Sequence, residues 1–210
     1  MHRCLKGKQL IVFDWDETLM NSREIARRAS LQVIADLFGI VDLPPKLTMD
    51  LGHSPCVLAM EHFKIETDQD KSAFVGRFIH YHREMERAAS LIPDAKRVLQ
   101  TLRESGLSLA IATGRSRASL RPLMERAGIQ GYFSALRCKE DPGQKPDASV
   151  LTGILAQLNH DRASCLLIGD SRTDMKLASN AGVDFLHATY HAYFELDVPH
   201  KLSAIAELVD

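Results

Sequence analysis

Three short apolar runs, each ending at a polar or acidic turn, constrain this chain more than any other feature. They are Leu10-Ile-Val-Phe13 before Asp14, Leu107-Ser-Leu-Ala-Ile-Ala112 before Thr113-Gly114, and Cys165-Leu-Leu-Ile168 before Gly169-Asp170. Continuous apolarity over so few residues fits strands buried on both faces, as in a parallel sheet. Helical spacing fills the gaps between them. Ala95, Val98, Leu99 and Leu102 step between a cap at Asp94 and a stop at Gly106. Leu120, Leu123, Met124 and Ala127 run from Ser116 to Gly128, and Val150, Leu151, Ile154, Leu155 and Leu158 follow Asp147. Met175, Leu177 and Ala178 lie between Asp174 and Gly182. Caps of Ser or Asp and stops of Gly mark such helix ends. Strand alternating with helix over residues 91–190 predicts an α/β fold, a doubly wound, Rossmann-like parallel sheet. Sheets of this kind bind ligands beyond the carboxyl ends of their strands. Asp14, Thr113 and Asp170 all fall at that edge.

Residues 20–90 break the alternation. Ile25, Ala29, Val33, Ile34 and Leu37 step at helical spacing, as do Phe74, Phe78, Tyr81 and Met85, with Leu43-Pro44-Pro45 between the two stretches. An insert of about 70 residues is too long for a loop. The prediction is a discontinuous α/β core of residues 1–19 and 91–210, interrupted by a helical cap domain at 20–90.

Charge narrows the partner. Twenty-six Lys and Arg oppose 27 Asp and Glu, so no excess positive charge draws the chain to nucleic acid or an anionic membrane. Four scattered cysteines, Cys4, Cys56, Cys138 and Cys165, form no CxxC pair and read as buried thiols. The run at 10–13 falls short of the roughly 7–15 apolar residues of a secretory segment and of the roughly 20 of a membrane span. A cytoplasmic chain is expected, a monomer or weak dimer whose partner is a small molecule chosen by a local site.

The chemistry lies in the turns. Asp14-x-Asp16-x-Thr18 follows the first strand, and Gly169-Asp170-x-x-x-Asp174 follows the last of the three. Two acidic turns at one sheet edge repel each other unless a cation neutralises them. Oxygen-only ligands suit Mg²⁺. A carboxylate beside Mg²⁺ either holds the metal or attacks phosphorus to become an aspartyl phosphate. A second Asp two residues on is placed to donate a proton to the leaving oxygen and then to activate water. A transferring phosphoryl group also needs a hydroxyl or amide donor and a cation. Thr113 and Gly114 supply the first. Lys145, in Gln144-Lys145-Pro146-Asp147, supplies the second; Lys139 is the rival, and Lys145 is favoured because a following Pro opens a helix and fixes its position.

These motifs resemble the haloacid dehalogenase-like hydrolases, specifically the phosphatase branch with a small helical cap, of which phosphoglycolate phosphatase is one kind. Asp14-x-Asp16-x-Thr18-Leu19, Thr113, Lys145-Pro146 and Gly169-Asp170-x-x-x-Asp174 stand in that family's order, and the resemblance covers essentially the whole chain. It implies a Mg²⁺-dependent phosphatase acting on a small phosphomonoester (a sugar phosphate, phosphoglycolate or nucleotide) through an aspartyl phosphate. Asp14 resembles the nucleophile and Asp16 the acid/base. Asp14, the main-chain carbonyl of Asp16, and Asp170 would hold the metal with Asp174 in support, and Thr113 and Lys145 would hold the phosphoryl group. The acid at position 16 points to phosphate chemistry over carbon–halogen chemistry. Glu17 departs from the pattern, standing where these phosphatases often have glycine. The competing reading is a non-catalytic phosphate- or protein-binding scaffold that retains the fold, which would bind ligand without turnover.

The remaining features read as structural. Trp15 is expected to pack rather than to stack on a substrate ring. His80 with His82, and His187 with His191, have spacings that could seat a metal, but no Cys or acidic cluster accompanies them, and they read as solvated or capping. Arg115 heads a basic stretch and, as its member nearest the strand end, is the one expected to see the phosphate or the cap. Leu51-Gly52-His53-Ser54 is the cap turn expected to face the substrate. The segment Tyr190 to Phe194 is either a loop near the site or an amphipathic edge.

Overall fold

A computed structural model describes residues 2–39, 60–192 and 195–210. The chain divides into two compact units, one formed by Met1–Met20 with Ser90–Asp210 and one by Asn21–Ala89. The first unit carries a six-stranded sheet. Its strands are β1 (Leu10–Phe13), β2 (Ser108–Ala112), β3 (Ala135–Arg137), β4 (Cys165–Gly169), β5 (Asp184–Ala188) and β6 (Lys201–Leu202). They lie in the order β3-β2-β1-β4-β5-β6, and every pairing is parallel.

That order explains the apolar runs. β1 sits between β2 and β4, so both its edges are hydrogen-bonded and both its faces are covered; all four residues are buried. Successive side chains alternate between faces. Leu10, Val12, Ala110, Ala112, Cys165 and Leu167 turn one way and form a core with two helices, α5 (Ser149–Leu158) and α6 (Arg172–Ala181). On those helices Val150, Leu151, Ile154 and Leu155, and Leu177, Ala178 and Ala181, supply the matching stripes. Two further helices of this unit, α3 (Ala95–Glu104) and α4 (Arg117–Ala127), bury Val98, Leu99, Leu102, Leu120 and Leu123.

Helix ends differ from expectation in instructive ways. Ser116 caps α4 by accepting the N–H of Ser119 at 3.2 Å, and Gly128 closes it in a left-handed conformation. Asp94 precedes α3 but makes no side-chain cap; with φ 64 it turns away, and its carboxylate accepts Arg97 Nε at 3.1 Å instead. α5 opens at Ser149 rather than beside Pro146, so Pro146 does not start the helix. Its carbonyl is held by Asn180 Nδ2 of α6 at 2.9 Å, and Asp147 accepts the Ser149 N–H at 2.8 Å. α6 starts two residues earlier than the Asp174 expected, because Ser171 and Asp174 cap each other's backbone reciprocally.

The second unit contains α1 (Arg23–Phe38) and α2 (Asp68–Glu86). They pack on each other through Val33, Ile34, Ile65 and Phe74, with Leu37, Phe63, Phe78 and Tyr81 around them. The expected substrate-facing turn at 51–54, the Leu43-Pro44-Pro45 break and Cys56 lie outside the described residues, as do Tyr193 and Phe194. Cys138 and Cys165 are buried free thiols, and Cys4 is half-buried. No helix among the described residues is long and apolar enough to cross a membrane.

The central core makes a direct demand on stability. Leu167 is fully buried in the middle strand β4. Leu167→Ala should cost about 2–5 kcal/mol of unfolding free energy, measured by urea denaturation; a loss below about 1 kcal/mol would contradict the packing described.

Candidate active site

The sheet register brings the three turns together. Phe13 lies opposite Ile111 on one side and Ile168 on the other, so β1, β2 and β4 end level. The Asp14 N–H continues the ladder to Ile168 O at 2.9 Å, and the Thr113 N–H bonds Arg137 O at 2.9 Å. Asp14, Thr113 and Asp170 thus leave the sheet at its carboxyl edge, around a cavity of about 500 Å³ also lined by Asp16, Gly114 and Lys145.

Asp14, Asp170 and Asp174 are all buried and each offers a carboxylate oxygen within 4.8 Å of the others'. Lys145 Nζ donates to Asp14 Oδ1 at 2.5 Å and to Asp174 Oδ1 at 2.6 Å. Asp174 Oδ2 accepts both the N–H and the hydroxyl of Ser171, at 3.2 and 2.5 Å. Lys139, the rival, lines the same cavity, but Lys145 is the lysine whose ammonium reaches Asp14.

One cation does not balance three buried acids. Burial foremost raises the Asp14 carboxyl above the usual range, with Asp174 and Asp16 adding to it and Lys145 opposing. Burial likewise raises Asp170, reinforced by Asp14, Asp174 and Glu17. Burial pulls Lys145 down, but Asp14 and Asp174 outweigh it and the ammonium is held charged. Three hard carboxylate oxygens with a charge deficit fit a divalent ion such as Mg²⁺.

Gly169 is needed because of Asp174. A methyl group there would lie 2.6 Å from both Cβ and Cγ of Asp174. The Gly-Asp pair therefore lets the β4 loop pass directly over the first turn of α6. Glu17 adopts φ 62, the left-handed region that glycine enters at no steric cost, which accounts for glycine at that point in similar turns. Its N–H closes the turn on Met20 O at 2.7 Å.

Arg115 goes neither to an open cavity nor to solvent. Its Nε lies 2.9 Å from both carboxylate oxygens of Asp16, and its Nη2 lies 2.6 Å from Oδ1. The fork orients Asp16, and Nη1 is itself steadied by Ser119 Oγ at 3.1 Å. The Arg115 N–H bonds Thr113 Oγ1 at 3.2 Å, which orients that hydroxyl. Gly114 stands between, with open space where a side chain would be.

Two residues near the end of β5 meet the loops of the site, and of the two readings of the Tyr190 segment Tyr190 itself fits the loop near the site. The Tyr190 hydroxyl donates to Thr18 O at 2.7 Å, tying the loop after Asp14 to the far side of β4. His187, expected to be solvated or capping, is fully buried, and its Nε2 lies 3.1 Å from Asp170 O. Trp15 is wholly buried, so no substrate ring stacks on it. His80 is exposed on α2, and among the described residues no histidine joins a metal-type cluster.

Comparison with known proteins agrees with this arrangement. The family model of the haloacid dehalogenase-like hydrolases matches residues 11–188, and the chain belongs to that family. It is 28% identical over 188 residues to a phosphoglycolate phosphatase of Agrobacterium fabrum, covering 86% of this chain and 80% of the relative. It is 26% identical over 201 residues to a phosphoglycolate phosphatase of Haemophilus influenzae, covering 90% and 89%. Among solved structures, a haloacid dehalogenase superfamily hydrolase of subfamily IA from Geobacter sulfurreducens superposes with a TM-score of 0.79 at 18% identity, over 97% of this chain and 95% of the other. A haloacid dehalogenase-like protein of Streptococcus pneumoniae gives 0.76 at 20% identity, over 97% and 98%.

Two outcomes follow from the crowding. Gly169→Ala should displace Asp174 and lower the melting temperature by several degrees, about 1–3 kcal/mol of overpacking; unchanged melting would contradict the close approach. Carboxyls raised in the folded state contribute stability that is present below about pH 4 and is lost as pH climbs through their folded values. Metal-free protein should therefore melt lower at about pH 9 than at about pH 6. Asp170→Asn, which removes one ionisation, should melt above the wild type at the higher pH, and equal melting would show that the cluster is not strained.

Proposed function

We propose that the chain is a Mg²⁺-dependent phosphatase that hydrolyses a small phosphomonoester through an aspartyl phosphate on Asp14. The observation that carries this reading is the buried Asp14 carboxylate, gripped by Lys145 and facing Asp170 and Asp174 at the sheet edge beside Thr113. The names of the relatives, phosphoglycolate phosphatases, support a small phosphorylated substrate.

The ion, held by Asp14, Asp170 and the Asp16 main-chain carbonyl with Asp174 in support, would neutralise charge on the phosphoryl oxygens. Lys145 and the Thr113 hydroxyl, with the Gly114 backbone, hold those oxygens in line with Asp14. An Asp14 oxygen attacks phosphorus, the bond from phosphorus to the ester oxygen breaks, and Asp16 gives that oxygen its proton. Asp16, now a carboxylate, takes a proton from water, whose oxygen attacks the same phosphorus. Asp14 is released and inorganic phosphate leaves. Arg115 aims the Asp16 carboxylate for the second step, in which it accepts the proton from water. The helical unit, inserted in the chain directly after the Asp14 turn, is read as the cap that selects the leaving group and excludes water.

Hydrolysis of an aryl phosphate should require Mg²⁺ and fall about a thousandfold or more in Asp14→Asn, with the fold intact by circular dichroism. Turnover persisting in that variant would end the nucleophile assignment. Ligand binding without turnover by the wild type, across sugar phosphates, phosphoglycolate and nucleotides, would point to a scaffold.

A further inference from the structure

We propose that His187 is a positioning residue for the metal-holding loop, setting the direction in which Asp170 presents its carboxylate. The inference rests on the reading of Asp170 as a metal ligand and adds a residue that no motif includes.

His187 lies on β5, paired in register with Gly169, the last residue of β4. Its side chain is fully buried. Because a carbonyl only accepts, the 3.1 Å contact with Asp170 O fixes the imidazole as a donor from Nε2. Nδ1 is also buried and finds no hydrogen-bond partner among the described residues. An interior strand position beside Phe185 suits an apolar side chain at lower cost, since an unpartnered buried ring nitrogen is unfavourable. Among the described residues, the ring's hydrogen bond is the one to Asp170.

The loop is thereby held from two sides. Asp174 fills the space against the Gly169 α-carbon, so the chain cannot shift toward α6. His187 holds the next carbonyl, which fixes the peptide plane after Asp170. With both constraints in place the Asp170 carboxylate has a defined exit toward Asp14 and Asp174. Groups that orient metal ligands in this way commonly matter by about 10- to 100-fold in metal affinity.

The test measures Mn²⁺ affinity directly, by electron paramagnetic resonance of the free ion, in wild type, His187→Leu and His187→Gln, with circular dichroism to confirm folding. His187→Leu should bind Mn²⁺ about tenfold or more weakly. His187→Gln, whose side-chain amide can replace the lost donor, should recover most of the affinity. At saturating Mg²⁺ the KM for an aryl phosphate should be unchanged in both, since neither touches the phosphoryl group. Equal Mn²⁺ affinity in folded wild type and His187→Leu would overturn the proposal while leaving the phosphatase reading intact. No Mn²⁺ binding by the wild type would fell both. If His187→Leu does not fold, ¹⁵N imidazole spectra of the wild type decide: His187 should be protonated at Nε2 and shift on addition of Mg²⁺, and the absence of that shift would overturn the role.

Discussion

Three carboxylates that share a buried pocket repel one another, and the rest of the catalytic unit is arranged around that repulsion. Asp14, Asp170 and Asp174 come from two turns more than 150 positions apart in sequence, yet lie close enough for one ion to touch all three. Moving such groups out of water is costly, and a lone ammonium on Lys145 leaves the balance negative. The fold maintains the arrangement because the strands are held rigidly elsewhere. β1 is paired on both sides and buried on both faces, so the Asp14 turn cannot retreat without breaking the centre of the sheet. An arrangement unfavourable by itself is what a site needs if its free energy is released when a cation and a phosphoryl group enter it.

Around that cluster each reactive group has a second residue that limits its motion. Arg115 forks onto Asp16, Ser171 caps Asp174, Tyr190 ties the Thr18 carbonyl, and His187 meets the Asp170 carbonyl. These contacts join the ends of β2, β4 and β5 across the mouth of β1. The same carboxyl edge that the strand order 3-2-1-4-5-6 opens as a crevice is therefore also cross-braced by side chains. Preorganisation of this kind favours the in-line geometry that phosphoryl transfer requires.

Much of the fold was legible because parallel strands buried on two faces write themselves as unbroken apolar runs. Leu10–Phe13 matches its strand residue for residue, and the runs at 107–112 and 165–168 differ from theirs by one position. β3 and β6 are short edge strands with mixed burial, and carry no such run. Helix starts were less legible where tertiary contacts took over from local capping, as at Asp94, whose carboxylate turns to Arg97, and at Pro146, whose carbonyl is anchored by Asn180. For the site, residue type and order were enough to nominate Asp14, Asp16, Thr113, Gly114, Lys145, Asp170 and Asp174, and the register of three level strands brings them around one cavity. What order could not convey was which side chain each of them would meet. Arg115 with Asp16, Tyr190 with Thr18 and His187 with Asp170 are contacts between distant parts of the chain, and nothing in the local pattern around Arg115, Tyr190 or His187 marks their partners.

The account turns on a divalent ion relieving the carboxylate cluster, and calorimetric titration of Mg²⁺ into metal-free protein measures that directly. Burial, with the neighbouring acids, raises the proton affinity of Asp14 and Asp170, so an entering ion should lower it again and release protons. The predicted result is one ion bound per chain, with a heat that changes with the buffer's own ionisation heat as protons are released. Binding without any proton release, or no binding at all, would contradict it.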